Sequence, residues 1–199
     1  MIKVGITGGI GSGKSTVCRL FEQKGIAVYD SDRAAKRLMA EPGPLREALV
    51  RRFGPRTFCD DALDRKYLAE IVFRDSAALA DLNALVHPAV MSDFDAWVGQ
   101  QQGPYVVLES AILFDSGLEA MVDRTVAVVA PLELRIERTC RRDGCDAESV
   151  RRRIAAQTDD DTLCRRADFT LVNLFEQELQ GAVDRLDRRF RFPGERLWS

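Results

Sequence analysis

Residues Gly8-Gly-Ile-Gly-Ser-Gly13-Lys14-Ser15 fit the pattern G-x-x-x-x-G-K-[ST], and each residue type in it has a chemical use. Glycines let backbone N–H groups converge on an anion without Cβ clashes. An ammonium at Lys14 reaches the β- and γ-phosphates of a nucleotide, and a hydroxyl at Ser15 is a hard oxygen ligand for Mg²⁺. Gly9, Gly11, Ser12 and Gly13 form the turn itself, and Thr16 follows where its N–H can serve an α-phosphate. A chance Gly-rich turn is the competing reading, and the frame decides against it. Ile2 to Thr7 is β-rich, while Lys14 to Lys24 has helical composition with Val17, Leu20 and Phe21 on one apolar face. A helix beginning there aims the positive end of its dipole at the same anion.

A phosphate loop establishes nucleotide binding and leaves the reaction open. Asp30 and Asp32 follow a second strand at Ile26 to Tyr29. In a parallel sheet that is the strand end where ligands bind. A kinase needs a carboxylate there to take or orient the proton of the attacking hydroxyl; a helix N-cap is the other use for such an acid. We assign one acid to each use, with Asp32 as the base. Glu109 ends a third strand, either as an acid on the metal side of the site or as an ordinary strand-end charge. Arg135, Arg138 and Arg142, spaced i, i+3 and i+7, share a helix face. They read as a lid that neutralises transition-state charge, or as a solvated face laced by Glu133 and Glu137. Arg151 to Arg153 read as surface. The one histidine, His87, precedes Pro88 and reads as a structural residue at a helix break.

The rest of the chain must position these groups. A strand–helix–strand opening predicts a parallel sheet. Residues 33–98 show no strand signal; helices are expected near 32–40, 44–53, 65–73 and 76–98, punctuated by Pro42-Gly43-Pro44, Gly54-Pro55 and His87-Pro88. Continuous β-branched runs return at Tyr105 to Glu109 and Thr125 to Ala130, as strands buried on both faces require. Helices are expected over 132–142 and 147–157, a last strand at Phe169 to Val172, a closing helix over 174–191 and a tail from Pro193-Gly194.

Composition narrows the class. The chain has 199 residues and a formal net charge of −2. That is size for one core with insertions, and the charge speaks against a nucleic-acid coat or a polybasic membrane binder. Its 29 basic residues comprise 24 Arg and five Lys. The excess suits phosphorylated ligands but is mainly composition. Five cysteines without a CxxC pair, beside one histidine, argue against zinc and for free thiols in a reducing cytoplasm. No apolar stretch approaches the roughly 20 residues of a membrane helix, and no signal peptide opens the sequence.

Taken in order, several segments resemble the motifs of the dephospho-coenzyme A kinase family. They are Ile6 to Ser15, Tyr29-Asp30-Ser31-Asp32, Leu85-Val86-His87-Pro88, Glu109 to Phe114, Arg138 to Asp143, Gln157, and Ala167-Asp168-Phe169 leading to Asn173. The resemblance spans about residues 2 to 190. It implies phosphorylation of the ribose 3′-hydroxyl of dephospho-CoA with ATP and Mg²⁺, the last step of CoA biosynthesis. It also implies site roles. Gly9 and the run from Gly11 through Ser12, Gly13, Lys14 and Ser15 to Thr16 would bind ATP, with Arg142 and Asn173. Asp32, Lys14, Arg138 and Arg142 would be catalytic. Asp32, His87 and Glu109 would face the acceptor, and Ser15 the metal. Asp115 stands where the family commonly has Glu, and Leu-Phe-Glu follows Asn173 where glycine is common.

The expected architecture is an α/β P-loop fold with a five-stranded parallel sheet. The core would be 1–31, 99–134 and 158–199, a helical CoA-binding insertion 32–98 and a lid about 135–157. A cytoplasmic monomer or weak homo-oligomer is expected, with dephospho-CoA as its partner and no nucleic acid or membrane. Another small-molecule kinase, for a nucleoside or nucleotide, and a non-catalytic ATP-binding switch are the alternatives.

Overall fold

A computed structural model of the chain describes residues 1–193; beyond its first residue, the tail expected from Pro193-Gly194 lies outside the described residues. The chain divides into two compact units, one from Met1–Tyr29 together with the described residues from Gln101 onward, the other Asp30–Gln100.

The first unit is built on a five-stranded sheet of β1 (Ile2–Thr7), β2 (Ala27–Asp30), β5 (Tyr105–Glu109), β6 (Arg124–Val129) and β7 (Phe169–Val172). The order is β2-β5-β1-β6-β7, and β1 pairs in parallel with both β5 and β6. β5 and β6 are buried along nearly their whole length, which is why their sequences are unbroken apolar runs rather than alternating ones. Helices α1 (Lys14–Gln23), α6 (Leu132–Asp143), α7 (Ala147–Ala155), α8 (Asp160–Arg166) and α9 (Glu176–Arg191) belong to the same unit. Its core joins Val4 and Ile6 of β1, Val17 and Phe21 of α1, Val126 and Val128 of β6, and Val183 of α9. Tyr105 anchors an edge-to-face chain of rings with Phe21 and Phe190, and its hydroxyl donates to Asp187 at 2.7 Å. Asp168 fixes the start of β6 by accepting from the Thr125 backbone and hydroxyl at 2.8 and 2.9 Å.

The second unit carries α2 (Ser31–Ala40), α3 (Pro44–Phe53), α4 (Arg65–Val72) and α5 (Ser76–Val98) around Leu49, Phe53, Leu68 and Ala78. Two sequence expectations need correction here. A short antiparallel hairpin, β3 (Phe58–Cys59) with β4 (Ala62–Leu63), stands in the region read as strandless. Two residues per strand carry no periodicity, and the turn rests on Asp60 and Asp61 at positive φ, which aspartate tolerates better than most residues. His87-Pro88 is also no break, because α5 continues through Pro88. Proline removes one backbone donor, and a helix of 23 residues absorbs that loss. In the first unit, α8 is a helix beyond those the sequence pattern predicts, because seven residues are too few to show a face.

Candidate active site

The phosphate loop runs from Gly8 to Gly13, between β1 and α1. Lys14 Nζ donates to the Gly8 carbonyl at 2.7 Å, so the ammonium lies across the mouth of the loop. Gly13 holds φ +97°, the left-handed geometry that lets the chain turn straight into α1. Ser15 and Thr16 follow in the first helical turn, with Ser15 exposed. That exposed hydroxyl is a hard oxygen at a helix N-terminus, where an anion gathers, so the residues present fit Mg²⁺ carried on nucleotide phosphates. Ser12 is fully buried, and its Oγ has no hydrogen-bond partner among the described residues.

The back of the loop is as constrained as its front. A Cβ on Gly9 would collide with the Arg135 guanidinium, one on Gly11 with the Arg135 carbonyl, and one on Gly13 with the Asn173 amide. The glycines therefore admit the protein's own supports as well as an anion. Arg135 is 4% exposed; its Nε donates to the Ile10 carbonyl at 2.9 Å and its Nη1 to Asp160 at 2.8 Å. The Ile10 N–H donates to Gln157 Oε1 at 2.8 Å. Asn173 is 3% exposed and its Nδ2 donates to the Ser12 carbonyl at 2.8 Å.

These contacts separate the three arginines grouped on one helix face. Arg135 is buried and spent on the loop, which removes it as a lid arginine. Arg138, half-buried, donates to the Asn173 carbonyl and Oδ1, each at 3.3 Å, beside the loop. Arg142 is exposed, and its Nε donates to Asp143 at 2.6 Å. Arg142 first, and then Arg153, hold the Asp143 carboxyl down at about 2. Arg151 and Arg152 pair with Glu133 and Glu148 at the surface.

Glu109 closes β5 opposite Ile6 of β1, and the Ser110 N–H donates to the Ile6 carbonyl at 3.0 Å. The Glu109 charge acts on the buried Cys18 thiol of α1. Burial first, and then the Glu109 charge, push that thiol well above its ordinary range, while nearby Lys14 pulls the other way. Glu109 and Lys14 thus act on the same buried thiol with opposite sign. Asp115 accepts from the Thr158 hydroxyl at 2.9 Å, so the shortened acid is tied to the residue after Gln157.

Asp30, Asp32 and His87 belong to the second unit. Asp30 is the N-cap of α2, its Oδ1 accepting the Arg33 N–H at 2.9 Å. Asp32 stands exposed in the first turn of the same helix. His87 lies on α5, where burial lowers its pKa and favours the neutral ring.

What the sequence missed is the supporting layer: Arg135 as a strut, its partner Asp160, and the Gln157 contact to Ile10. No spacing distinguishes Arg135 from Arg138 on a common stripe. The one available signal is glycine density, since alternate glycines at 9, 11 and 13 imply something packed against their backs as well as an anion in front.

Comparison with known proteins gives a consistent match. The family model for dephospho-CoA kinase matches residues 2–178. A dephospho-CoA kinase of Bacteroides fragilis is 40% identical over 179 residues, 89% of this chain and 87% of that protein. A crystal structure of a Thermus thermophilus protein superposes with a TM-score of 0.84 at 35% identity, covering 94% of this chain and 97% of that one. A dephospho-CoA kinase of Campylobacter jejuni shares the fold at a TM-score of 0.70 and 21% identity, covering 97% and 98%.

Proposed function

The chain belongs to the dephospho-CoA kinase family and phosphorylates dephospho-CoA with ATP, and we propose that it does so at the ribose 3′-hydroxyl with Asp32 as the base. The observation that carries this reading is the phosphate loop, with Lys14 laid across it and Arg138 beside it.

The residues divide the work as follows. Backbone amides of Gly9 and of Gly11 to Thr16 bind the ATP phosphates, and Lys14 exchanges the Gly8 carbonyl for β- and γ-oxygens, a stronger charge-assisted partner. Asp30 is occupied as a cap, which leaves Asp32 as the acid of that pair for chemistry. It takes or orients the proton of the attacking hydroxyl as that oxygen closes in line on the γ-phosphorus. Arg138 and Arg142, from a lid over residues 135–157, offset charge on the transferring group. Asn173 acts on the ATP side, while Glu109 and His87 serve the acceptor, His87 by shaping the pocket as a neutral ring. Ser15 Oγ would hold Mg²⁺, which when bound supplies positive charge to the phosphate oxygens. The helical segment 32–98 would receive the CoA moiety.

No helix among the described residues is long and apolar enough to cross a membrane. We place the enzyme in the cytoplasm, as a monomer or weak homo-oligomer with free thiols.

The test is an ADP-release assay with a panel of acceptors, with the product identified by mass. Transfer to dephospho-CoA alone, giving CoA, supports the reading. Transfer to nucleosides or mononucleotides, or ATP binding with no acceptor phosphorylated, overturns it.

A further inference from the structure

The carbonyls of Ile10 and Ser12 are each held from behind the loop by a buried side chain. Arg135 Nε reaches the first at 2.9 Å and Asn173 Nδ2 the second at 2.8 Å. Every peptide bond among the described residues is trans. In a trans peptide the C=O and the following N–H point in opposite directions across one rigid plane. Holding the Ile10 carbonyl outward therefore turns the Gly11 N–H inward, and holding the Ser12 carbonyl outward does the same for Gly13.

We propose that Arg135 and Asn173 are positioning residues of the phosphoryl-donor site. They set the direction of the Gly11 and Gly13 amides and so the loop's affinity for a nucleoside di- or triphosphate, without touching it. The inference rests on the ATP-binding role of this loop.

The two residues are built for holding. Glycine has the widest backbone freedom of any residue, so a peptide that ends on one, as 10–11 and 12–13 do, can flip and lose an inward donor unless it is held. Arg135 is anchored by Asp160 through Nη1 at 2.8 Å, which frees Nε for Ile10. Gln157 takes the N–H of Ile10, so this residue is gripped at both of its backbone polar groups. Asn173 is fixed by its own N–H to the Val129 carbonyl at 2.8 Å, and its Oδ1 accepts from Arg138. An arginine and an amide suit the task because both donate in a fixed plane. The fit also explains the glycines at 9 and 13, where any Cβ would occupy the place of these supports.

The proposal separates donor-site effects from general damage. Arg135→Gln and Asn173→Ala are compared with wild type by equilibrium titration with ADP, by KM for ATP and for dephospho-CoA, and by thermal unfolding. Amide NMR of ¹⁵N-glycine-labelled protein follows Gly11 and Gly13. The expected result is ADP affinity weakened about tenfold or more by each variant, since an oriented donor to an anion is lost. KM for ATP should rise in step while KM for dephospho-CoA stays within about twofold, as one site is altered and the other is not. The ADP-induced shift of the Gly11 amide should shrink in Arg135→Gln, and that of Gly13 in Asn173→Ala. Should Arg135→Gln fail to fold, Asp160→Ala removes the acceptor that anchors Arg135 while Arg135 keeps its own donors, and the same affinity loss is expected. Folded variants that bind ADP as tightly as wild type, or that raise both KM values together, overturn the proposal. Wild type that binds no ADP overturns the ATP-binding reading itself, which is a separate failure.

Discussion

Lys14 Nζ donates to the Gly8 carbonyl at 2.7 Å, joining the first residue of the helix to the first residue of the loop it caps. The ammonium is thereby held where phosphate arrives, and a phosphate oxygen is a stronger acceptor than a neutral carbonyl. Lys14→Ala is expected to lower kcat/KM for ATP by on the order of 10²–10³, the usual cost of removing one charge-stabilising donor. Steady-state kinetics with varied ATP checks this, and unchanged kinetics would remove Lys14 from the donor site.

The neighbouring acids Asp30 and Asp32 should behave oppositely. Asp30 caps α2 through the Arg33 N–H at 2.9 Å, so Asp30→Ala should cost about 1 kcal/mol of stability, typical of a lost cap, with kcat within a few-fold. Asp32→Asn should leave the melting temperature and ADP binding near wild type and lower kcat by roughly 10²–10⁴, the range for a lost general base. Paired melting and turnover measurements decide it; a kcat that survives Asp32→Asn excludes this residue as the base.

The frame and the front of the site were legible in the sequence, and the back was not. Buried parallel strands announce themselves as unbroken apolar runs, so β5 was placed to the residue and β6 to within one. Loop residues 8–15 are local in sequence, and their pattern reads directly. The supports are not local. Arg135 meets Ile10 across 125 positions and Asn173 meets Ser12 across 161, and no periodicity encodes a contact at that separation. The hairpin at Phe58–Leu63 and helix α8 were missed for another reason, that elements this short have no face to display. The Asp30 cap shows an intermediate case. That one of two acids would cap was readable, while which one depended on where α2 begins, and helix boundaries shift by a residue or two.

Gly13 offers a stability test of the crowded loop. Its φ of +97° disfavours any side chain, and a Cβ there would strike the Asn173 amide. Gly13→Ala should destabilise the fold by roughly 1–3 kcal/mol, the usual cost of such backbone strain, and should weaken ADP binding as well. Differential scanning fluorimetry with and without ADP measures both effects. A variant that melts like wild type and is equally stabilised by ADP would show that the loop relaxes freely around a methyl group.

Asp143 supplies a pH-dependent prediction. The Arg142 guanidinium, followed by that of Arg153, holds its carboxyl down from 3.8 to about 2. A carboxyl depressed in the folded state stabilises that state when ionised, so the contribution is complete above the unfolded value and is lost as pH falls through the folded one. The pairing should therefore be fully present at pH 6, decline below about pH 4 and vanish near pH 2. The two arginine side chains are about half exposed, so the effect should also weaken in high salt. Melting curves of wild type and Asp143→Asn at pH 6, 4, 3 and 2 test the window. The two proteins should differ at pH 6, with wild type the more stable, and should converge toward pH 2. A gap that stays constant across that range would mean that the Asp143 charge does not hold the C-terminal end of α6, and that Arg142 is positioned by something other than this pair.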